Sequence, residues 1–369
     1  MSLFAGRGWR DPLLTASAVA AMVATTTGAG LRPPIEPSIP HDFADPTVLA
    51  VDGTYYAYST ASRYGDENFH VPVQRSRRLT GGWSHARDAL PELPGWVDKT
   101  AVQAGNIWAP AVTERGHDGY LLYFAAPSTT QHTECIGVAR AWAPEGPFQP
   151  TGSHPLVCQP GDADDIDPKP FTDTEGTHYL LYSASREGNA TIWLQQLDDD
   201  GTRTIGDRRA VIRADRADED HVVEAPAIVR HGCRYVLFYS ANAYNGGHYF
   251  TNYATADSLG DEFVKHRGQF LNQDTLGDEY QNPGGQDVLH THRHDFLVFH
   301  AYTTLTRRAM FVAGLGWNDH DHPELVRLDD GPERHHHIEQ ERLGLSATMT
   351  SPTAAHATSS VSSMVEGGP

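Results

Sequence analysis

The chain has 369 residues and a formal net charge of −19. This excess of negative charge argues against nucleic acid, anionic membranes and polyanionic glycans as partners, because long-range repulsion would oppose each encounter. A neutral ligand remains compatible with it. The 34 Gly and 24 Pro, together with 15 Tyr and 13 Phe, favour many short strands joined by turns.

The first predicted element is a leader at residues 1–36. Arg7 and Arg10 precede a mildly apolar run at 13–24 and then small residues, a pattern that is typical of a secretory signal peptide. A disordered leader is the alternative, and the run is too short to span a bilayer. The leader therefore predicts an extracellular protein. Three widely spaced cysteines form no CxxC pair and allow at most one disulfide bridge.

Five segments that combine a turn with an aromatic strand follow the leader. They start at intervals of 56 to 66 residues, and each interval can hold one four-stranded propeller blade. The segments are 53–60, 119–126, 176–183, 232–240 and 294–300. Shorter apolar runs at 135–140, 191–196 and 308–313 are predicted as third strands of blades.

This period predicts an all-β fold, a five-bladed β-propeller, over residues 37–345. A large β-sandwich is the alternative, but sandwiches show turn signals every 8 to 12 residues without a longer period. From residue 346 to 369 the chain is rich in Ser, Thr, Ala and Gly, which predicts a disordered tail.

Carboxylates stand just ahead of the first, third and fourth aromatic strands. Asp45 and Asp167 directly precede proline, Glu224 stands two residues before proline, and Trp108 occupies the corresponding place ahead of the second strand. A single acid next to proline is a common turn signal. Three acids in equivalent positions of a ring, however, point at one axis, and burying them together would be costly unless their protonation states were used.

Paired carboxylates across a pocket are what inverting glycoside hydrolysis requires. One protonated acid gives its proton to the leaving oxygen, while an ionised partner about 6.5–9.5 Å away activates water on the opposite face. A third carboxylate nearby raises the pKa of its neighbour by repulsion between like charges and keeps the acid protonated.

From about His41 to Val326 the motifs resemble, in order and spacing, glycoside hydrolase family 43, the five-bladed propeller arabinanases, arabinofuranosidases and β-xylosidases. The resemblance implies a role for each matching residue: Asp45 as general base, Asp167 as the aspartate that tunes the acid, and Glu224 as general acid. It further implies that Arg308, nine residues before Trp317, closes the pocket beside the sugar. Trp108 and Phe43 are candidate sugar-binding residues, with a role in the core as the alternative for each.

One segment departs from the family pattern. The family commonly has Gly-Pro-Gly-His before its fifth aromatic strand, with the histidine often near a calcium ion, whereas residues 282–287 read Asn-Pro-Gly-Gly-Gln-Asp. Gln286 then takes the place of that histidine, and its oxygen can face a hard cation. The resemblance thus implies Gln286 as the candidate ligand of a structural calcium ion, and no cofactor for catalysis.

The sequence therefore predicts an inverting exo-acting α-L-arabinofuranosidase that releases terminal arabinofuranose from the plant cell-wall polysaccharides arabinan or arabinoxylan and acts as a monomer. β-Xylosidase and endo-arabinanase are alternatives within the family. A carbohydrate-binding propeller without catalysis is the rival class, and the presence of all three carboxylates argues against it. The adjacent histidines at 335–337 lack spaced partners, so we do not interpret them as a metal site.

Overall fold

The structure is a computed structural model, and it describes residues 35–102, 106–277, 279–291, 294–326 and 328. Most of the predicted leader, the predicted tail and the histidines at 335–337 lie outside these residues.

Five four-stranded antiparallel sheets follow one another along the chain, which confirms the five-bladed β-propeller. Blade 1 contains β1 (Thr47–Val51), β2 (Thr54–Tyr58), the inserted hairpin β3 (Ser62–Tyr64) and β4 (Glu67–Phe69), β5 (Pro72–Ser76) and β6 (Arg87–Asp88). A short helix α1 (Lys99–Val102) leads to blade 2, with β7 (Trp108–Glu114), β8 (Tyr120–Pro127), β9 (Glu134–Ala141) and β10 (Gln149–Pro150).

The remaining blades repeat this arrangement. Blade 3 contains β11 (Asp164–Thr172), β12 (His178–Arg186), β13 (Asn189–Leu197) and β14 (Thr204–Arg213). Blade 4 contains β15 (Val223–His231), β16 (Arg234–Ala241), β17 (Phe250–Ala256) and β18 (Val264–Lys265). A second short helix α2 (Gln273–Leu276) precedes blade 5, with β19 (Gln281–His290), β20 (Asp295–Thr304), β21 (Arg307–Trp317) and β22 (Pro323–Val326).

The predicted strands fall where the period placed them. The five aromatic segments form the second strands β2, β8, β12, β16 and β20, and the three shorter apolar runs form the third strands β9, β13 and β21. These strands are central in their sheets and covered on both faces, so their sequences are almost continuously apolar. Strand β8, for example, is buried at every position.

The apolar core lies between the blades. Five clusters of buried residues correspond one to one to the five junctions of neighbouring blades. At the junction of blades 1 and 2, for instance, Tyr58 packs in one cluster with Phe124 and Phe148. Because each blade buries both of its faces against neighbours, the ring is stabilised by packing all the way around.

The two ends of the propeller meet between blade 5 and blade 1, at what we call the seam, formed by residues 38–45 and β21. Ile39 forms a β-bridge with Met310 of β21. The backbone N–H of Phe43 donates to the carbonyl oxygen of Arg308 at 2.6 Å. The segment ahead of β1 therefore holds the last blade against the first.

Cys135 and Cys158 form a disulfide bond, and Cys233 is an exposed free thiol. The bridge joins β9 to the segment that leads into blade 3, and it agrees with the limit of one bridge set by the sequence. Over the described ranges, no helix has the length and apolar character needed to cross a bilayer.

Candidate active site

The first strand of every blade carries the same backbone distortion near its start. Five residues in equivalent positions each precede a proline and have a left-handed φ between 44° and 56°: Asp45, Ala109, Asp167, Ala225 and Asn282. A residue before proline is normally extended, so this conformation costs about 1–3 kcal/mol at each position. In blades 2 to 5 the strand ladder shifts register there, as expected for a β-bulge.

The bulge corrects one prediction about the carboxylates. Asp45 and Asp167 both occupy the left-handed position, whereas in blade 4 that position belongs to Ala225 and Glu224 stands one residue earlier. Glu224 is therefore equivalent to Trp108 of blade 2 and not to the two aspartates. Only two of the three acids are equivalent, because the left-handed residue directly precedes proline in every blade and Glu224 stands two residues before its proline.

At the distorted residue the backbone N–H does not take part in the strand ladder. In three blades this N–H donates a hydrogen bond to a side chain of the preceding blade. The acceptors are His300 Nδ1 for Asp45 at 3.0 Å, Thr60 Oγ1 for Ala109 at 2.9 Å, and Asp167 Oδ2 for Ala225 at 2.8 Å. Since buried N–H groups need partners, these bonds fix the bulges and the catalytic candidates beside them. Asp45 and Asp167 also line a small cavity of about 40 Å³ formed by the first strands of all five blades.

Asp45 lies half-buried among groups that favour its ionised form. Its Oδ2 accepts a hydrogen bond from Thr60 Oγ1 at 2.5 Å, and its Oδ1 lies 3.6 Å from a guanidinium nitrogen of Arg308. Burial alone would raise the pKa of Asp45, but Arg308 and the hydrogen bonds outweigh it and hold that pKa well below its usual value. Asp45 is therefore a carboxylate at any ordinary working pH.

Glu224 has the opposite tendency although it faces the same site. Burial, together with the negative charge of Asp45, raises the pKa of Glu224 to about 7, against a hydrogen bond from Tyr249 that favours ionisation. Burial and the charges of Glu224 and Asp45 also raise the pKa of Asp167 well above its usual value. Because Glu224 and Asp167 repel each other when both are charged, the pair retains a proton near neutral pH.

Arg308 and Trp108, two of the predicted sugar-binding residues, are both partly exposed. Arg308 is 20% exposed and contacts Asp45, and its guanidinium lies 5.2 Å from the ring centre of Tyr244, which is 46% exposed. Trp108 is half-buried at the start of β7, at the level that Glu224 occupies in blade 4. The aromatic faces of these two rings can pack against a sugar.

Phe43 does not lie in the wall of the site. Its ring is fully buried in the cluster at the junction of blades 1 and 5, together with Ile39 and Met310. Its backbone N–H donates to the Arg308 carbonyl, so the segment runs against β21 and turns the ring into the core. Phe43 therefore supports the strand that carries Arg308 and has no surface on which a sugar can stack.

Gln286 does not fit the role of a cation ligand. Its side-chain nitrogen donates to the Ala225 carbonyl at 2.5 Å, and its oxygen accepts hydrogen bonds from the hydroxyls of Ser240 and Thr251 at 2.7 and 2.9 Å. Both acceptor positions of the amide oxygen are thus in use, and the residue ties blade 5 to blade 4. Among the described residues, no group of three or more His, Cys, Asp or Glu side chains is placed to hold a metal.

The positively charged side chain of Lys169 lies close to Gln286, near the axis of the propeller. The ammonium group of Lys169 pairs with the carboxylate of Asp287, which also accepts a hydrogen bond from Thr47 Oγ1 at 2.5 Å. This ion pair neutralises a buried charge with residues of the chain itself.

Sequence reasoning missed several residues of the site. Tyr249 donates to Glu224, Thr60 bridges Asp45 to the bulge of blade 2, and His300 holds the backbone of Asp45. Burial lowers the pKa of His300, so its ring is neutral and can accept that bond through Nδ1. The only local signal was His300 itself, a histidine in the middle of an apolar strand.

Comparison with known proteins places the chain among related sequences. The family model described as "Glycosyl hydrolases family 43" matches residues 35–323. A "Probable arabinan endo-1,5-alpha-L-arabinosidase B" of Aspergillus fumigatus is 28% identical over 180 residues, which are 46% of this chain and 44% of that relative. An "Extracellular exo-alpha-(1->5)-L-arabinofuranosidase" of Streptomyces chartreusis is 29% identical over 271 residues, 68% of this chain and 76% of that relative.

The match to the Aspergillus relative thus spans less than half of that protein's length. Among solved structures, an exo-1,5-α-L-arabinanase from a bovine ruminal metagenomic library superposes with a TM-score of 0.64 at 21% identity, covering 80% of this chain and all of the other. At this identity the similarity establishes the shared propeller fold.

Proposed function

The chain belongs to glycoside hydrolase family 43, and on that premise we propose that it is an inverting exo-α-L-arabinofuranosidase that releases terminal arabinofuranose from arabinan or arabinoxylan. The observation that supports the proposal is that two carboxyl groups at one site have pKa values shifted in opposite directions. Asp45 is held ionised by Arg308 and Thr60, while burial keeps Glu224 protonated up to about neutral pH. An ionised base and a protonated acid are the two states that single displacement by water requires at the same pH.

The proposed reaction uses each carboxyl group once. Asp45 accepts a proton from a water molecule as that water attacks the anomeric carbon, and Glu224 gives its proton to the departing glycosidic oxygen. Asp167 acts through its repulsion with Glu224, because the two buried groups resist being charged together and the pair therefore keeps one proton. After release of the sugar, Asp45 returns its proton to solvent and the pair of Glu224 and Asp167 takes one up.

Arg308 has a binding role as well as an electrostatic one. Its guanidinium lies between Asp45 and the exposed ring of Tyr244, so it can donate hydrogen bonds to sugar hydroxyls beside the base. Trp108, at the start of the first strand of blade 2, is half-buried and leaves part of its ring as an apolar surface. Together these residues suit a neutral sugar better than an acidic one next to Asp45.

The choice of arabinan over xylan is supported by these two relatives, both of which are named for activity on 1,5-α-L-arabinose linkages. One is named as an endo-acting and the other as an exo-acting enzyme, so endo-arabinanase is the second candidate activity. The exo-acting and the endo-acting enzyme would use the same three carboxyl groups. They would differ in whether the polysaccharide chain can continue past the site.

A substrate panel tests the activity. Purified protein is incubated with debranched arabinan, arabinoxylan, p-nitrophenyl α-L-arabinofuranoside and p-nitrophenyl β-D-xylopyranoside, with Asp45→Asn as the matched inactive control. We expect free arabinose from the arabinan and from the arabinofuranoside. Oligosaccharides without free arabinose would support the endo-acting alternative, and no product from any substrate would support a binding propeller.

The stereochemistry tests the mechanism separately. Proton NMR of the hydrolysate in its first minutes should record the anomer opposite in configuration to the substrate, as a single displacement demands. A product of retained configuration would rule out the direct attack of water.

We further propose that the protein is secreted. The Cys135–Cys158 bridge suits an oxidising compartment, and the Streptomyces relative is named as extracellular. Secretion would bring a negatively charged monomer into contact with neutral cell-wall polysaccharide, its proposed partner.

A further inference from the structure

Tyr249 reaches the proposed general acid from a different part of blade 4. It is the last residue of the connection between β16 and β17, and its hydroxyl donates to Oε1 of Glu224 at 2.6 Å. The side chain is 3% exposed, which leaves its hydroxyl little access to solvent. This contact is distinct from the three bulge contacts, which hold backbone groups.

From this geometry we propose that Tyr249 is a positioning residue, whose hydroxyl occupies Oε1 of Glu224 and confines the transferable proton of that acid to Oε2. The inference rests on the proposed function, since it assigns a part to Tyr249 in the same proton transfer. A carboxylic acid carries its proton on one oxygen, and the other oxygen is the better acceptor. A fixed donor on Oε1 therefore removes one of the two places where the proton could reside.

The surroundings of Tyr249 keep its hydroxyl a donor. Burial, followed by the charge of Glu224, raises the pKa of Tyr249 well above its usual value, so the phenol does not ionise at working pH. As Glu224 loses its proton to the substrate, the hydrogen bond becomes one to a charged acceptor and strengthens. The hydrogen bond from Tyr249 thus stabilises Glu224 after it has given up its proton, and it also determines which oxygen gives the proton.

The backbone of blade 5 leaves the space that the Tyr249 ring needs. A Cβ atom at Gly284 would lie 2.1 Å from Cε1 of Tyr249, so no other residue fits there while the ring stays in place. His300, the cross-strand partner of Gly284, has its imidazole nearly parallel to the Tyr249 ring with centroids 6.1 Å apart. The ring therefore packs against two adjacent strands of blade 5, and a Tyr249→Phe change should leave its position unaltered.

Other charged and titratable groups also act on Glu224, and a test must separate them from Tyr249. They are Asp45 ahead of β1, Asp164 and Asp167 of β11, and Arg308 of β21. None of them changes in Tyr249→Phe, which removes only the hydroxyl oxygen. Because the lost hydrogen bond favours the ionised form, its removal should raise the pKa of Glu224.

The test uses Tyr249→Phe with Tyr253→Phe as the matched control. Tyr253 is likewise a buried tyrosine of blade 4, but its hydroxyl meets His266 and His322 away from the carboxyl groups. The ¹³C carboxyl signal of Glu224, assigned through Glu224→Gln, is titrated in each protein. kcat/KM against pH is measured with an arabinan oligosaccharide and with p-nitrophenyl α-L-arabinofuranoside.

We expect the Glu224 titration and the alkaline limb of the pH profile to move to higher pH in Tyr249→Phe only. Turnover of the arabinan oligosaccharide should fall about ten- to a hundredfold, the effect of losing a hydrogen bond to a charged group. Turnover of the aryl glycoside should fall much less, because its leaving group needs little protonation. A Glu224 titration that is the same in Tyr249→Phe as in the wild type would overturn the inference. If the titration moves but even the wild type hydrolyses nothing, Tyr249 positions Glu224 as inferred and the proposed function is wrong.

Discussion

Arg308→Gln should move the acidic limb of the pH–activity profile to higher pH. The base must be ionised, and the guanidinium 3.6 Å from Oδ1 of Asp45 is the charge that most favours ionisation. Both side chains are only about one-fifth exposed, so solvent screens the pair incompletely. At effective dielectric constants of about 80 to 20, Coulomb's law gives about 1 to 5 kcal/mol at this distance. Since about 1.4 kcal/mol corresponds to one pH unit, we expect a displacement of about one to three pH units.

The assay is kcat/KM for p-nitrophenyl α-L-arabinofuranoside across the acidic range, because this ratio reports the ionisation of the free enzyme. Arg308→Lys is the matched control, since it keeps the positive charge but loses the planar contact with Tyr244. It should bind substrate less well and keep its acidic limb near that of the wild type. The reasoning is refuted if the glutamine variant retains the wild-type limb, or if the lysine variant is displaced as far as the glutamine variant.

Four further predictions concern the three carboxyl groups and the calcium ion that the family resemblance implied. Asp45→Asn should fold normally, because asparagine tolerates a left-handed φ, and kcat should fall by about 10²-fold or more; activity within tenfold of wild type would contradict a base at this position. Glu224→Ala should slow natural linkages far more than aryl glycosides with good leaving groups, and equal losses would argue against an acid role. Asp167→Asn should move the alkaline limb to lower pH, since removing a nearby negative charge lets Glu224 ionise more readily; an unmoved limb would remove Asp167 from the pair. Chelation with EDTA should change the melting temperature by a few degrees at most and leave kcat unchanged, because Gln286 has no free acceptor, and a calcium-reversible loss of turnover would contradict this.

The fold could be predicted because its repeat is visible both in the composition of single strands and in their spacing along the chain. Central strands buried on both faces must be apolar, and five such strands at intervals of one blade distinguish a propeller from a sandwich. Proline also follows the left-handed residue in the first strand of every blade, although its structural role could not be told from the sequence. The sequence does show that Glu224 stands two residues before its proline, whereas the two aspartates directly precede theirs. It does not show that the residue before each proline takes the left-handed conformation, so the three acids were placed at equivalent positions.

The partners of the carboxyl groups could not be predicted for a different reason. His300 is 255 residues from Asp45 in sequence, and Tyr249 is 25 residues from Glu224 on the far side of another strand. No periodicity relates such positions: closure of the ring brings His300 to Asp45, and the folding of blade 4 brings Tyr249 to Glu224. Phe43 was misplaced because the segment ahead of β1 has no regular alternation from which to read the direction of a side chain.

The seam between blade 5 and blade 1 has a consequence for how the enzyme becomes active. Asp45 lies near the start of the propeller, whereas the groups that hold its backbone and its charge, His300 and Arg308, lie in the last blade. During synthesis the base is made first, and a chain that stops after four blades possesses all three carboxyl groups without either of these partners. Its proposed general base would keep the hydrogen bond from Thr60 but would lack the backbone contact with His300 and the guanidinium of Arg308. The proposed hydrolytic activity would therefore depend on closure of the ring and would appear only when blade 5 has packed against blade 1.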